Sequence, residues 1–132
     1  MEYTISQAAE KMHLTAHTLR YYDKEGLLPF VTRTDGGIRH FTDSDVEWLS
    51  VICCLKGTGM PVKKIKEYID LCMQGDETLE ARRQIFIKQR EEVLNKINQL
   101  TRYLEKVDYK IKHYDEACAM YEERMQHFIN HG

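Results

Sequence analysis

The stretch His17-Thr18-Leu19-Arg20-Tyr21-Tyr22-Asp23-Lys24-Glu25-Gly26-Leu27-Leu28-Pro29 reads as a helix with two unlike faces and a sharp end. His17, Arg20, Tyr21 and Lys24 fall at i, i+3, i+4 and i+7 and make one polar face, while Leu19 and Tyr22 point to the other side. Thr15 supplies a hydroxyl where a helix over Ala16 to Lys24 needs an N-cap. Glu25-Gly26 is a C-terminal stop, and Pro29 forces the chain out in an extended form. Upstream, Ser6 is placed to cap a helix over Gln7 to Met12, so two short helices are joined by a tight turn. The polar face suits a DNA major groove. His and Thr reach base edges or phosphates, Arg makes paired hydrogen bonds, and a tyrosine hydroxyl bonds a phosphate oxygen. Taken alone, the same face also fits an ordinary solvated helix.

Downstream, Phe30 to Phe41 reads as two short extended segments around Asp35-Gly36-Gly37, a candidate wing. Thr42-Asp43-Ser44-Asp45 has the spacing of a capping box, with Asp in place of Glu or Gln. The helix it opens runs to about Lys56, with Val46, Leu49 and Cys53 beside Trp48, Ile52 and Leu55 in a broad apolar stripe. Gly57-Thr58-Gly59 breaks it, and Pro61 suits the first turn of a fourth helix ending near Cys72 to Gln74.

Beyond Gly75-Asp76 the pattern is long and free of Pro, and of Gly until Gly132. Val93, Ile97, Leu100, Leu104, Val107, Ile111, Tyr114, Cys118 and Tyr121 advance by alternating steps of four and three, the seam of a coiled coil. Carried backwards, the register meets Arg90, Phe86, Arg83 and Leu79 and is less regular. From Leu79 to Tyr121 such a helix spans roughly 60 Å, more than a head of this size can cover. The seam therefore calls for a second copy of the chain. The expected organisation is a head of short helices with a candidate wing over 1–75, which the resemblance given below makes a winged helix-turn-helix DNA-binding domain, a dimerising helix over 76–121 and a short tail over 122–132.

Composition narrows the function classes. With 42% hydrophobic and 30% charged residues and only two prolines, the chain belongs with helix-rich soluble proteins. Net charge is -2, and residues 1–75 carry nine Lys and Arg against ten Asp and Glu, so DNA affinity has to come from a local patch. No apolar run spans a bilayer and no signal segment opens the chain, which points to the cytoplasm and to no membrane partner. Cys53, Cys54, Cys72 and Cys118 lack zinc-site spacing and read as reduced thiols. With no Cys-x-x-Cys pair, Gly-rich phosphate loop or acid-base set, an enzyme is not expected, and no cofactor is implied.

The string from Thr18 to Pro29, followed by Arg33 and by Gly37-Ile38-Arg39-His40-Phe41, closely resembles the MerR family of transcription regulators. The resemblance continues through Thr42 to Val46 and Gly59-Met60-Pro61-Val62. It implies a mainly α fold, with a winged helix-turn-helix head and a long C-terminal helix forming an antiparallel coiled-coil dimer. It also implies double-stranded promoter DNA and RNA polymerase as partners. Arg20, Tyr21, Arg39 and Lys56 would contact the DNA backbone, His17 and Thr18 would lie nearer the bases, and Arg33 on or beside the wing. His40-Phe41 departs from the commoner Tyr-rich wing end and lacks its hydroxyl. Similar proteins bend and undertwist a promoter whose spacer is too long, a readout by deformation.

About ten residues follow Tyr121, so a small sensor is expected rather than a separate effector domain. The segment Cys54-Leu55-Lys56-Gly57-Thr58-Gly59-Met60-Pro61 resembles that of the aldehyde- and electrophile-responsive branch, which makes Cys54 the candidate thiol sensor. Cys53 continues the apolar stripe, whereas Cys54 follows Glu47 and Ser50 on a mixed side. The adjacent lysines and the start of the fourth helix would lower its pKa and the end of its own helix would raise it, which leaves the sign open. Two alternatives stand beside this reading. One is a metal-responsive regulator using Cys118 with His127 and His131; the other is an interaction adaptor built on the coiled coil.

Overall fold

The computed structural model describes residues 1–33 and 39–131, so the turn expected at Asp35-Gly36-Gly37 lies outside the described residues. In chain order the elements are β1 (Glu2–Tyr3), α1 (Ile5–Lys11), α2 (Ala16–Lys24), β2 (Thr32–Arg33), β3 (Arg39–Thr42), α3 (Asp43–Gly57), α4 (Val62–Gln74), a 3-10 turn (Asp76–Thr78) and α5 (Leu79–His131). The chain divides into two compact units, Met1–Gln89 and the part from Arg90 onward.

In the first unit, a three-stranded antiparallel sheet in the order β1-β3-β2 pairs Tyr3 with Phe41 and Arg33 with Arg39. β3 is thus central, and Phe41 points from it into the core. Around Phe41 the helices contribute Ala8 from α1, Leu19 from α2, Leu49 and Ile52 from α3, and Ile65 and Ile69 from α4, all essentially without exposure. Capping chemistry sets where these helices begin. Thr15 Oγ1 accepts from Thr18 N at 3.1 Å, and Thr42 and Asp45 exchange side chain-to-backbone bonds in a capping box, both as the sequence suggests.

The first helix differs from the sequence expectation. Its N-cap is Thr4, not Ser6, and Ser6 stands inside α1. Thr4 Oγ1 accepts from Gln7 N at 3.2 Å while Gln7 Oε1 accepts from Thr4 N at 2.9 Å. This reciprocal pair needs Gln or Glu three residues on, and from Ser6 that position is Ala9. Pro61 likewise stands one residue earlier than expected, as the N-cap of α4, with its carbonyl accepting from Lys64 N and Ile65 N.

α1, α2 and α3 share one way of stopping. At the end of α2, Gly26 at φ 82° lets its own N–H reach the Asp23 carbonyl and that of Leu27 reach Tyr22. The same pair of bonds recurs at Gly59 after α3, and after α1 it is made around His13, a non-glycine residue at φ 57°. Gly26→Ala is expected to lower the thermal midpoint of the head by roughly 4–8 °C, about 1 kcal/mol, because a Cβ strains that backbone. Calorimetry measures it.

α5 opens within the first unit. Arg82 Nε donates to Thr78 Oγ1 at 3.0 Å and its Nη2 to the Gly75 carbonyl at 2.9 Å, placing a cation at the end of α4. Ile85 packs against the core, and Phe86 meets Tyr68 edge to face with centroids 5.1 Å apart. Gln89 is buried, and its Nε2 donates to Thr58 Oγ1 at 2.7 Å. The irregular register before Val93 has this origin: those turns serve the head. In the second unit α5 continues from Arg90 to His131, and the seam side chains from Ile97 to Tyr121 stand exposed in the single chain.

Candidate nucleic-acid interface

α2 presents the face read from its periodicity. His17, Arg20, Tyr21 and Lys24 are all exposed, and Leu19 and Tyr22 are buried on the opposite side. Burial of Tyr22 pushes its phenol pKa up, with smaller contributions from Cys53 and Tyr21. Thr18, half-buried in the first turn, shares a 3.0 Å hydrogen bond with the Thr15 hydroxyl. A recognition helix reads bases with such N-terminal residues, and a hydroxyl already paired to the cap is held in one place.

The antiparallel pairing of β2 and β3 sets Arg33 opposite Arg39, and one carboxylate ties both to α2. Arg39 Nε donates to Asp23 Oδ2 at 2.6 Å, and Arg33 Nη2 donates to the same oxygen. Asp23 closes the exposed face of α2 one residue before Lys24, and its side chain is only 11% exposed. The structure therefore brings two sequence-predicted DNA residues, Arg33 and Arg39, to the end of the helix that carries His17, Thr18, Arg20 and Tyr21. Asp23 was not among the residues the sequence singled out. Near the same strand, Phe41 is core, and His40 Nδ1 lies 3.5 Å from Glu2 Oε2. Neither offers a hydroxyl.

The wing root is steadied by a second contact. Phe30, just before β2, stacks on Trp48 of α3 with centroids 5.7 Å apart.

Lys56 and Cys54 lie instead on the last turns of α3, both exposed. Cys53 is half-buried, and burial pushes its thiol pKa up. The Cys54 carbonyl accepts from Thr58 N at 3.0 Å, and Thr58 is the residue that Gln89 of α5 bonds. Cys72 is half-buried beside Tyr68, whose phenol is pushed up to about 12 by burial and by a hydrogen bond with that thiol. Among the described residues no three His, Cys, Asp or Glu side chains converge as metal ligands. His127 and His131 do meet, with ring centroids 4.4 Å apart, but Cys118 is nine residues back on the same helix. That is about 13 Å along the axis, too far to share an ion with them, so the metal-sensing alternative is not favoured. Among the described residues no helix is long and apolar enough to cross a membrane.

Comparison with known proteins agrees with this geometry. Residues 3–72 match the family model for MerR HTH family regulatory proteins, and residues 46–108 match that for MerR, DNA binding. An uncharacterized HTH-type transcriptional regulator of Haemophilus influenzae is 48% identical, over 91% of this chain and 89% of its own length. The crystal structure of HiNmlR, a MerR family regulator lacking the sensor domain, bound to promoter DNA, superposes with a TM-score of 0.83 at 48% identity, covering 90% of this chain and 94% of that one. A MerR family transcriptional regulator from Bacillus thuringiensis superposes with a TM-score of 0.77 at 44% identity, covering 84% and 97%. The chain belongs to the MerR family of transcription regulators, and its winged helix-turn-helix head is the DNA-binding unit of that family.

Proposed function

We propose that a homodimer of this chain binds a near-palindromic promoter site, contacts RNA polymerase there, and activates by distorting an overlong spacer. Residues 1–75 read the DNA, 76–121 pair in an antiparallel coiled coil, and 122–132 form a tail beyond the seam. The observation that carries the reading is the tie through Asp23, which sets the wing arginines beside the exposed face of α2. Arg20, Tyr21, Arg39 and Lys56 then hold the phosphate backbone, with His17 and Thr18 at the bases and Arg33 at the wing. Distortion draws its energy from those phosphate contacts. Gel shifts on the DNA upstream of its own gene test the binding: raising salt from about 50 to 200 mM is expected to cost at least about 10³-fold in affinity. In vitro transcription that is indifferent to spacer length would exclude the distortion mechanism.

The signal is a reactive aldehyde or another electrophile, and Cys54 is the sensor. Support comes from the exposure of its thiol beside the half-buried Cys53, and from the resemblance of the Cys54–Pro61 segment to the aldehyde- and electrophile-responsive branch. A thiolate adds to a carbonyl carbon, and the oxygen takes up a proton, leaving a bulky adduct one turn from Thr58. Because Thr58 is bonded to Gln89, bulk there bears on the first turns of α5. Cys54→Ser is expected to abolish the promoter response to aldehyde while leaving operator affinity within about twofold. A retained response would remove Cys54 from the mechanism.

A further inference from the structure

We propose that Asp23 is a specificity-determining positioning residue, which holds the two wing arginines as one rigid unit and neutralises part of their charge. The inference rests on the DNA-binding reading above. Arg33 and Arg39 face each other across the β2–β3 ladder, and like charges in that arrangement repel. A single carboxylate oxygen compensates both. Asp23 is the most enclosed of the three groups, its side chain 11% exposed against 23% for Arg39 and 52% for Arg33. A charge-assisted bond at such a site is stronger and better defined than a surface ion pair. Asp23 also presents to the guanidinium groups the ligand chemistry of a phosphate oxygen. The free wing thus shows DNA about one net positive charge rather than two, at a place fixed by α2. A loose wing with both charges free would grip any phosphate backbone. The anchored wing grips where the backbone geometry of the operator meets it.

The test compares a footprinted operator fragment with a scrambled fragment of equal length, measuring affinity over a range of salt. Asp23→Asn keeps the shape and removes the charge. The ratio of operator to scrambled affinity is expected to fall at least about tenfold, well within what loss of its two charge-assisted bonds allows. The salt slope on scrambled DNA is expected to steepen by about one for each head, about two for the dimer. Asp23→Glu, which restores the carboxylate, should recover most of the ratio. An unchanged ratio, including parallel losses on both fragments, overturns the proposal, because a merely structural defect weakens both together. If Asp23→Asn does not fold, Arg33→Gln on the exposed arm carries the same comparison. Operator affinity must then fall at least about threefold more than scrambled affinity, and parallel losses overturn the proposal. Wild-type protein that fails to bind the operator would defeat the DNA-binding reading itself, a separate result.

Discussion

Leu104→Glu is expected to turn the protein into a monomer at micromolar concentration and to remove operator binding with it. Leu104 sits mid-seam, between Leu100 and Val107, and is 56% exposed in the single chain. In a two-fold coiled coil the substitution enters twice, so two carboxylates lose water without a partner. Each costs several kcal/mol, and the dimer dissociation constant should rise by at least about 10³-fold. Binding to a two-half-site operator falls steeply because each head alone holds half the contacts. Sedimentation velocity reads the first effect and gel shift the second. Lys106→Glu, on the outer side of the same helix, should leave both unchanged. A Leu104→Glu protein that still sediments as a dimer would mean that the seam pairs elsewhere.

Phe41→Ala is expected to cost about 3–5 kcal/mol, roughly 15–30 °C in the thermal midpoint of the head. Phe41 is fully buried, lies on the central strand, and is paired in register with Tyr3. Few small domains hold more than about 5–15 kcal/mol in total, so a large share of the stability depends on one ring. Operator affinity should fall as well, since β3 also carries Arg39. Phe41→Leu, which retains most of the volume, should cost only about 1 kcal/mol. Equal losses for the two variants would place the cost in the strand rather than in the cavity.

Much of this architecture was legible because it is periodic. The α2 faces follow from spacings of three and four, and the seam from nine positions in strict alternation. Local chemistry at fixed offsets was legible too, as with Thr42 and Asp45. Thr4 and Gln7 had that same offset, and the nearer Ser6 concealed them. What sequence could not show joins residues at no regular interval. Asp23 meets Arg33 and Arg39 at separations of ten and sixteen, a spacing that only a folded wing closes. Gln89 meets Thr58 across thirty-one residues. The weak register from Leu79 to Arg90 was a signal of that second contact, because residues that pack on a head need not obey a seam.

The stack of Phe30 on Trp48 has an optical consequence. Trp48 is the single tryptophan of the chain, and its neighbour lies just before the wing. Excited at the red edge of the protein's absorption, where its eight tyrosines contribute little, emission therefore arises from one site in each chain, at the root of the candidate wing. Any change in that stack would change the colour and intensity of the emission. Mixing the unlabelled protein with operator then reports whether the wing root stays as it is, as the anchored wing requires: a rigid wing leaves the emission at the stack unchanged.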